Sequence, residues 1–375
     1  MKIVVIGTRG IPDILGGVET HCQELYPRLA AAGHDVTVIP RRPYVTDDNR
    51  RDEYRGVKLV DVYAPRRKSL EAIVHTFLAV IRARRLKPDV LHVHAIGPAL
   101  MVPLARMLGM KVVMTNHGPD YDRKKWGRMA RTFLRTGERL GTRFSNRVIV
   151  ISKVISSILA DKYGRTDTDL IYNGVTRPVK SARTDYIASL GLAPRRYVVA
   201  IGRFVEEKGF HDLIRAFAAA DHGDYCLVIA GDADHPDDYS RSLKRLAEEN
   251  GVVLTGFIRG EKLNQLMTNA ALFVIPSYHE GLPFALLEAM SYDLDVISSD
   301  IPANRLDSLE PDDFFPVGSV ADLADRITGR LKAPRLGRRY NLDPYDWDRI
   351  ARQTGEVYRQ MLEKPAEKRK KRKET

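Results

Sequence analysis

Short β-branched runs alternate with helix-period stretches along this chain, and after residue 196 the same alternation begins again. That feature narrows the folding choices most. Strands of about five residues alternating with helices argue for a parallel sheet whose two faces the helices cover. In the first half the strand patterns are 2–6, 36–39, 57–62, 89–93, 111–115, 147–150 and 168–172, and the helical patterns between them are 18–32, 69–85, 98–108, 128–144 and 153–163. Asn173-Gly174 is a turn signal, and the polar stretch through Pro178 to about Thr184 reads as a linker. Tyr197-Val198-Val199-Ala200-Ile201-Gly202-Arg203 then echoes Lys2-Ile3-Val4-Val5-Ile6-Gly7-Thr8, and further strand patterns fall near 225–230, 252–254, 272–275 and 295–298. A length of 375 residues exceeds what one core usually serves. The expected fold class is therefore α/β, with two doubly wound Rossmann-like domains, 1–175 and 176–340, facing across a cleft. A last helical pattern spans 344–362, and the basic tail 364–375 is expected to be disordered.

Charge is distributed unevenly. Residues 1–175 carry +13, from 30 basic and 17 acidic side chains, residues 176–339 carry −4, from 20 and 24, and the remainder carries +3, from 10 and 7. Arg128, Arg131, Arg135, Arg139 and Arg143 recur at spacings of three and four, along one side of a helix. Trp126, Met129, Phe133, Leu134, Leu140 and Phe144 are apolar partners around it. Such a helix, together with the run Lys368–Lys373, suits an anionic membrane surface; a solvated basic face is the alternative. Nucleic acid is not expected as a partner, since no recognition motif or aromatic platform accompanies the charge. No apolar run approaches the roughly 18 residues of a membrane span, and the chain starts directly on a strand pattern rather than a signal peptide. Cys22 and Cys226, without metal-ligand spacing, read as free thiols of a reducing compartment. The expected location is the cytoplasm, with peripheral attachment at the inner face of the cytoplasmic membrane through the basic surface.

Chemistry concentrates at strand ends. In Glu280-Gly281-Leu282-Pro283-Phe284-Ala285-Leu286-Leu287-Glu288 two carboxylates lie eight positions apart, behind the strand pattern Leu272–Ile275. Pro283 is expected as the first residue of the following helix. The order strand, loop, helix puts Glu280 and the helix N-terminus at the carboxyl edge of an open sheet, where ligands bind. Glu288, among Phe284, Ala285, Leu286, Leu287, Ala289 and Met290, would be costly to bury bare, and a ribose diol would satisfy it. A solvated stripe and a loop charge are the alternative for this pair. Gly16-Gly17 precedes a helix starting near Val18, where backbone N–H groups can approach a phosphate; a tight turn is the alternative. The loop from Gly7 to Gly17 is too long for a dinucleotide fingerprint. His117 follows the strand pattern 111–115 and could hydrogen-bond a sugar or receive a proton, or be structural. His92 and His94 share one strand face, with no third metal ligand apparent, so core packing is expected. Asp232-Ala233-Asp234 and Asp293-Leu294-Asp295 are acidic triplets of the kind that can hold a divalent ion.

Pro276-Ser277 through Met290 resembles the E-x7-E signature of retaining, nucleotide-sugar-dependent glycosyltransferases of the GT-B fold, and the resemblance extends from the Gly-Gly loop to the terminal Trp helix. It implies that Glu280 contacts the donor sugar, that Glu288 binds the nucleotide ribose, and that Gly281, Leu282 and Pro283 lie against the substrate. Gly202-Arg203-Phe204-Val205-Glu206-Glu207-Lys208-Gly209 resembles the family's Arg-x4-Lys diphosphate clamp, which assigns Arg203 and Lys208 to the leaving group. Gly16-Gly17-Val18-Glu19 matches a family Gly-Gly-x-Glu. His117 matches a family histidine, Asn173-Gly174-Val175 a hinge sequence at the domain junction, and Phe257, in Gly256-Phe257-Ile258, the nucleobase pocket. The terminal helix is expected to pack back on the first domain. Together these imply a metal-independent, retaining transferase with no cofactor. It would move a sugar from a nucleotide-diphosphate donor, UDP-linked by preference, to a saccharide acceptor, lipid-linked in cell-surface polysaccharide synthesis. A dTDP- or GDP-sugar donor, an epimerase or hydrolase on the same fold, and a non-catalytic sugar-nucleotide sensor are the rivals.

Overall fold

The computed structural model describes residues 1–14, 16–66, 70–118, 127–233, 235–335 and 337–363; Trp126, Asp234 and the basic tail lie outside them. The chain divides into two compact units, Met1–Gly174 with the segment from Pro344 onward, and Val175–Asp343.

The first unit holds β1 (Lys2–Ile6), β2 (Asp35–Val38), β3 (Glu53–Tyr54), β4 (Val57–Leu59), β5 (Val90–His94), β6 (Val112–Asn116), β7 (Arg147–Val150) and β8 (Thr168–Leu170). Their order across the sheet is β3-β4-β2-β1-β5-β6-β7-β8. Every pairing is parallel except β3 with β4, a short hairpin edge that periodicity did not reveal. The pattern 57–62 ends as a strand at Leu59. Helices α1 (Gly17–Ala31), α2 (Glu71–Leu86), α3 (Val102–Met107), α4 (Arg128–Phe144) and α5 (Lys153–Tyr163) connect the strands. The expected helix 98–108 divides into a 3-10 turn over Pro98–Met101 and then α3, because Pro103 enters at a helix start rather than an interior. Local signals set the ends of α5. Ser152 accepts a hydrogen bond from the Ile155 N–H, and Gly164, at φ 65°, turns the chain out.

The second unit holds α6 (Asp185–Ser189), α7 (Phe210–Ala219), α8 (Asp238–Glu249), α9 (Gly260–Thr268), α10 (Phe284–Ser291) and α11 (Val320–Lys332) around a second sheet. Its strands are β9 (Tyr197–Ile201), β10 (Cys226–Ala230), β11 (Val253–Leu254), β12 (Leu272–Ile275), β13 (Asp295–Ser299) and β14 (Phe314–Phe315), all parallel, in the order β11-β10-β9-β12-β13-β14. Both sheets are covered on two faces, so the central strands read as unbroken apolar runs. Val198, Ala200, Leu227, Ile229 and Val274 pack with Phe210, Leu213, Phe217 and Ile327 in the second core. Buried charge closes the far edge of this sheet. Arg330 bonds Asp295 and Asp313, and Arg338 lies 2.5 Å from Asp313.

The terminal helix α12 (Trp347–Leu362) belongs to the first unit and packs on α1, and Arg28 Nε donates to Asp348 at 2.9 Å. Its buried face carries Trp347, Ile350, Val357 and Tyr358. Cys22 and Cys226 are both free thiols.

Candidate active site

In the second sheet the winding reverses at β9, whose neighbours are β10 and β12. A reversal of this kind leaves a crevice outside the carboxyl ends of the flanking strands. The loops leaving β9 and β12 meet there. The Tyr278 N–H donates to the Glu207 carbonyl at 2.9 Å. Gly209, at φ 65°, lies so close to Pro276 that a Cβ would fall 2.3 Å from its carbonyl oxygen, so only glycine fits. Across this contact Lys208 Nζ is 2.5 Å from Glu280 Oε1, which also accepts a hydrogen bond from Ser277 Oγ at 2.7 Å. Both charges are largely enclosed, with side chains 20% and 12% exposed. Arg203 lies half-buried on the same loop. A third loop reaches this edge through Gly231, whose N–H donates to the Gly256 carbonyl at 3.0 Å. Phe257, next to Gly256 on the loop leaving β11, is 47% exposed.

Pro283 is the residue before α10 rather than its first residue, with an extended ψ of 101°. Proline's fixed φ suits both positions, so sequence alone could not separate them. Among the described residues no side chain caps this helix start. Gly281 is half-buried and Leu282 and Pro283 are buried. One turn on, burial pushes the Glu288 carboxyl up to about 7. Among the described residues none hydrogen-bonds this carboxylate; only the Glu288 backbone is engaged, its carbonyl accepting from Ser291 Oγ and from the Tyr292 N–H. The acidic triplets are occupied differently. Asp232 pairs with Lys244 at 2.8 Å, Asp293 with Lys180 at 2.8 Å, and Asp295 is buried against Arg330.

In the first unit the reversal falls at β1, between β2 and β5. Gly16, at φ 147°, precedes α1, and a Cβ there would fall 2.0 Å from Glu19 Oε2. Glu19 folds back over the loop, its Oε1 accepting from the Arg9 N–H at 2.9 Å and from Thr8 Oγ1 at 3.3 Å. Gly17 is the first residue of α1, one earlier than the sequence pattern suggests.

His117 follows β6 and joins a histidine cluster. Its Nε2 is 2.9 Å from His94 Nδ1. His94 Nε2 bonds the Tyr26 hydroxyl, and His92 stacks on His94 with ring centroids 4.3 Å apart. His21, from α1, lies with its ring 5.1 Å from that of His117 and its Nδ1 2.9 Å from Asn173 Oδ1. Asn173 is buried in the first unit. Burial lowers His21 to about 4, and burial together with neighbouring imidazoles holds His94 and His117 well below the usual histidine range, so these rings are neutral at physiological pH. A third histidine does therefore approach His94, contrary to the sequence reading. Ring nitrogens of His21, His94 and His117 lie within 4.8 Å of one another. Period two pairs His92 with His94 along the strand, but His21 and Tyr26 carry no signal beyond their place on a helix, and only the fold brings them here. The loop behind His117 is braced: Asn116 Oδ1 accepts from the Gly118 N–H at 2.8 Å, and Asn116 Nδ2 donates to Glu138 at 3.3 Å.

Comparisons with known proteins agree with this architecture. Residues 15–177 match the model described as Glycosyltransferase Family 4, and residues 183–371 match Glycosyl transferases group 1. The chain is 26% identical to an uncharacterized glycosyltransferase of Methanocaldococcus jannaschii, over 97% of this chain and 99% of that one. It is 25% identical to glycogen synthase of Mycobacterium tuberculosis, over 96% and 94%. Among solved structures, sucrose-phosphate synthase from Thermosynechococcus elongatus superposes with a TM-score of 0.80 at 23% identity, covering 96% of this chain and 99% of that chain. Anabaena HepE in complex with UDP and glucose gives 0.77 at 19%, covering 96% and 100%. Both likenesses are likenesses of fold. Two parallel-sheet α/β units of the GT-B class, matched along nearly their whole length, make this chain a member of the group 1 glycosyltransferase family.

Proposed function

We propose that the protein is a retaining, metal-independent glycosyltransferase that takes its sugar from a nucleotide-diphosphate donor bound by the second unit, UDP-linked by preference. The acceptor is a saccharide bound by the first unit, carried on a lipid at an anionic membrane surface. One observation carries this reading: the loops flanking the β9 reversal hold Lys208 against Glu280, with Arg203 on the same loop. In glycosyl transfer the bond from the anomeric carbon to the phosphate oxygen breaks, and negative charge grows on the diphosphate. Arg203 and Lys208 meet that charge with fixed cations. Glu280 positions both Lys208 and the sugar, and Glu288 receives the ribose diol, a partner that no described residue supplies. Gly281, Leu282 and Pro283 line the sugar, Phe257 adjoins the base, and His117 hydrogen-bonds the substrate. The acceptor oxygen bonds to the anomeric carbon on the face the phosphate leaves, and its proton passes to that phosphate. Gly16 and Gly17 offer backbone N–H groups to an anionic part of the acceptor.

The test is a thermal-shift panel of UDP-, dTDP- and GDP-sugars with and without EDTA, followed by NMR of the product's anomeric configuration with the best donor. Stabilisation by one donor class, retained configuration and indifference to EDTA are expected. Lys208→Ala should lower kcat about 10²- to 10³-fold, as loss of one well-placed charge-stabilising donor does. Inverted product, activity lost on chelation and restored by magnesium, or isomerised or free sugar from donor alone would overturn the reading.

A further inference from the structure

The histidine cluster contains more hydrogen-bonding order than packing requires. Four elements contribute: Tyr26 from α1, His92 and His94 from β5, Thr115 from β6, which His117 follows, and Tyr358 from α12. His92 Nε2 lies 2.7 Å from Thr115 Oγ1, and His92 Nδ1 lies 2.6 Å from the Tyr358 hydroxyl and 2.9 Å from the Tyr26 hydroxyl. Tyr26 then bonds His94 Nε2, and His94 Nδ1 faces His117 Nε2 at 2.9 Å. Each ring is neutral and holds one proton, so a direction chosen at Tyr26 propagates to His117. His92 Nδ1 lies closer to the Tyr358 hydroxyl, at 2.6 Å, than to that of Tyr26, at 2.9 Å, and takes its proton from Tyr358; a phenol is a better donor than acceptor, so the one Tyr26 proton goes to His94 Nε2. His94 must then carry its proton on Nδ1 and donate it to His117 Nε2.

We infer that Tyr26, acting through the positioning residue His94, fixes the His117 ring with its proton on Nδ1, so that His117 serves the reaction as a hydrogen-bond donor and not as a proton acceptor. With Nε2 engaged and Nδ1 protonated, the neutral ring has no lone pair to offer an acceptor hydroxyl. The opposite direction, starting from His94 Nε2–H donating to the phenol oxygen, would make His117 a base, so the two assignments predict different chemistry. A metal ion bound by His21, His94 and His117 is the competing use of the same rings. Tetrahedral zinc at about 2.0–2.1 Å from each nitrogen holds its ligand nitrogens about 3.4 Å apart. Here His94 Nδ1 and His117 Nε2 lie 2.9 Å apart, closer than two ligands of one zinc, and both nitrogens of His94 already have protein partners.

The inference rests on the placement of His117 at the substrate, and the two are tested by different readouts. In the full-length chain labelled with 15N-histidine, long-range proton–nitrogen NMR should show His117 Nδ1 as a pyrrole-type and Nε2 as a pyridine-type nitrogen. Tyr26→Phe, which removes only the hydroxyl, should convert this to a mixture of tautomers. His94→Leu should lower kcat about 100-fold with the donor KM changed less than about threefold, the scale of loss expected when a reacting group is misplaced. His94→Asn, whose amide can still donate near the Nδ1 position, should recover most of that loss. Should Tyr26→Phe not fold, the wild-type spectrum decides alone. A wild-type His117 protonated on Nε2, or one equivalent of cobalt bound with a visible ligand-field band that His21→Ala removes, would overturn the relay. A His117→Ala enzyme with unchanged turnover would instead overturn the placement of His117 at the substrate.

Discussion

At the scale of single residues, Glu288 shows how a carboxylate can be kept at a cost to the fold. Burial raises its pKa from 4.5 to about 7. An acid whose pKa rises on folding binds more protons folded than unfolded, so its contribution to stability falls as pH climbs. The loss begins above pH 4.5 and is complete above about 7. Glu288→Gln keeps the shape and removes the charge, so the variant should be more stable than wild type at pH 8, by roughly 1–3 kcal/mol, and equal to it at pH 4. Urea denaturation at the two pH values measures this. If Glu288 receives the ribose, the same variant binds donor more weakly by isothermal titration calorimetry. A stabilising substitution that weakens binding marks a residue retained for function. Equal stability at pH 8 would mean that the carboxylate is solvated after all. Glu288 could be nominated from its apolar neighbours, whereas the contact between Lys208 and Glu280, 72 positions apart, became visible only when two loops met.

At the scale of elements, α4 illustrates packing overruling propensity. Its limits, 128–144, match the sequence pattern, since a stripe of arginines opposite apolar residues is a strong periodic signal. Gly137 and Gly141 are a different matter. On helix propensity alone either would be improved by alanine, by roughly 1 kcal/mol. In the fold a Cβ on Gly137 would fall 2.1 Å from the Ile96 carbonyl oxygen, and one on Gly141 would fall 2.4 Å from Met114 Sδ. Gly137→Ala should therefore lower stability by roughly 1–3 kcal/mol, the usual cost of overpacking, and thermal unfolding gives the sign directly. A rise in Tm would show that α4 can move away from the loop behind β5. Smaller elements escaped the sequence for related reasons. β3 and β14 have two residues each, too few for a period to show, and they exist because neighbouring strands offer unpaired backbone groups.

At the scale of the whole molecule, charge separates by sequence region, and α4 displays it. Arg128, Arg135, Arg139 and Arg143 are exposed, and Met129 and Phe144 on the same helix are exposed at 89% and 42%. Among the described residues no helix is long and apolar enough to cross a membrane. The proposed adsorption to anionic lipid would draw about 1 kcal/mol from each basic side chain near the headgroups. Reversing Arg128, Arg135 and Arg139 to glutamate should cut co-sedimentation with phosphatidylglycerol vesicles at least about tenfold, and raising salt should weaken the parent's binding by screening. Equal binding to neutral phosphatidylcholine vesicles, or no effect of the reversals, would count against adsorption through this helix.

The sequence alone determined the fold class and the restart of its plan, because burial on both faces of a parallel sheet writes itself as apolar runs in the local order of residues. It also nominated strand-end residues, since chain direction in such sheets puts the following loop at the carboxyl edge. Tertiary structure decided which of these residues touch. The terminal helix shows this most directly: Tyr358 reaches His92, 266 positions away, and Trp347 packs on Gly174 and beside His21. Contacts of that span depend on side-chain direction and close packing at a few ångströms, and no local pattern of hydrophobicity or charge encodes them.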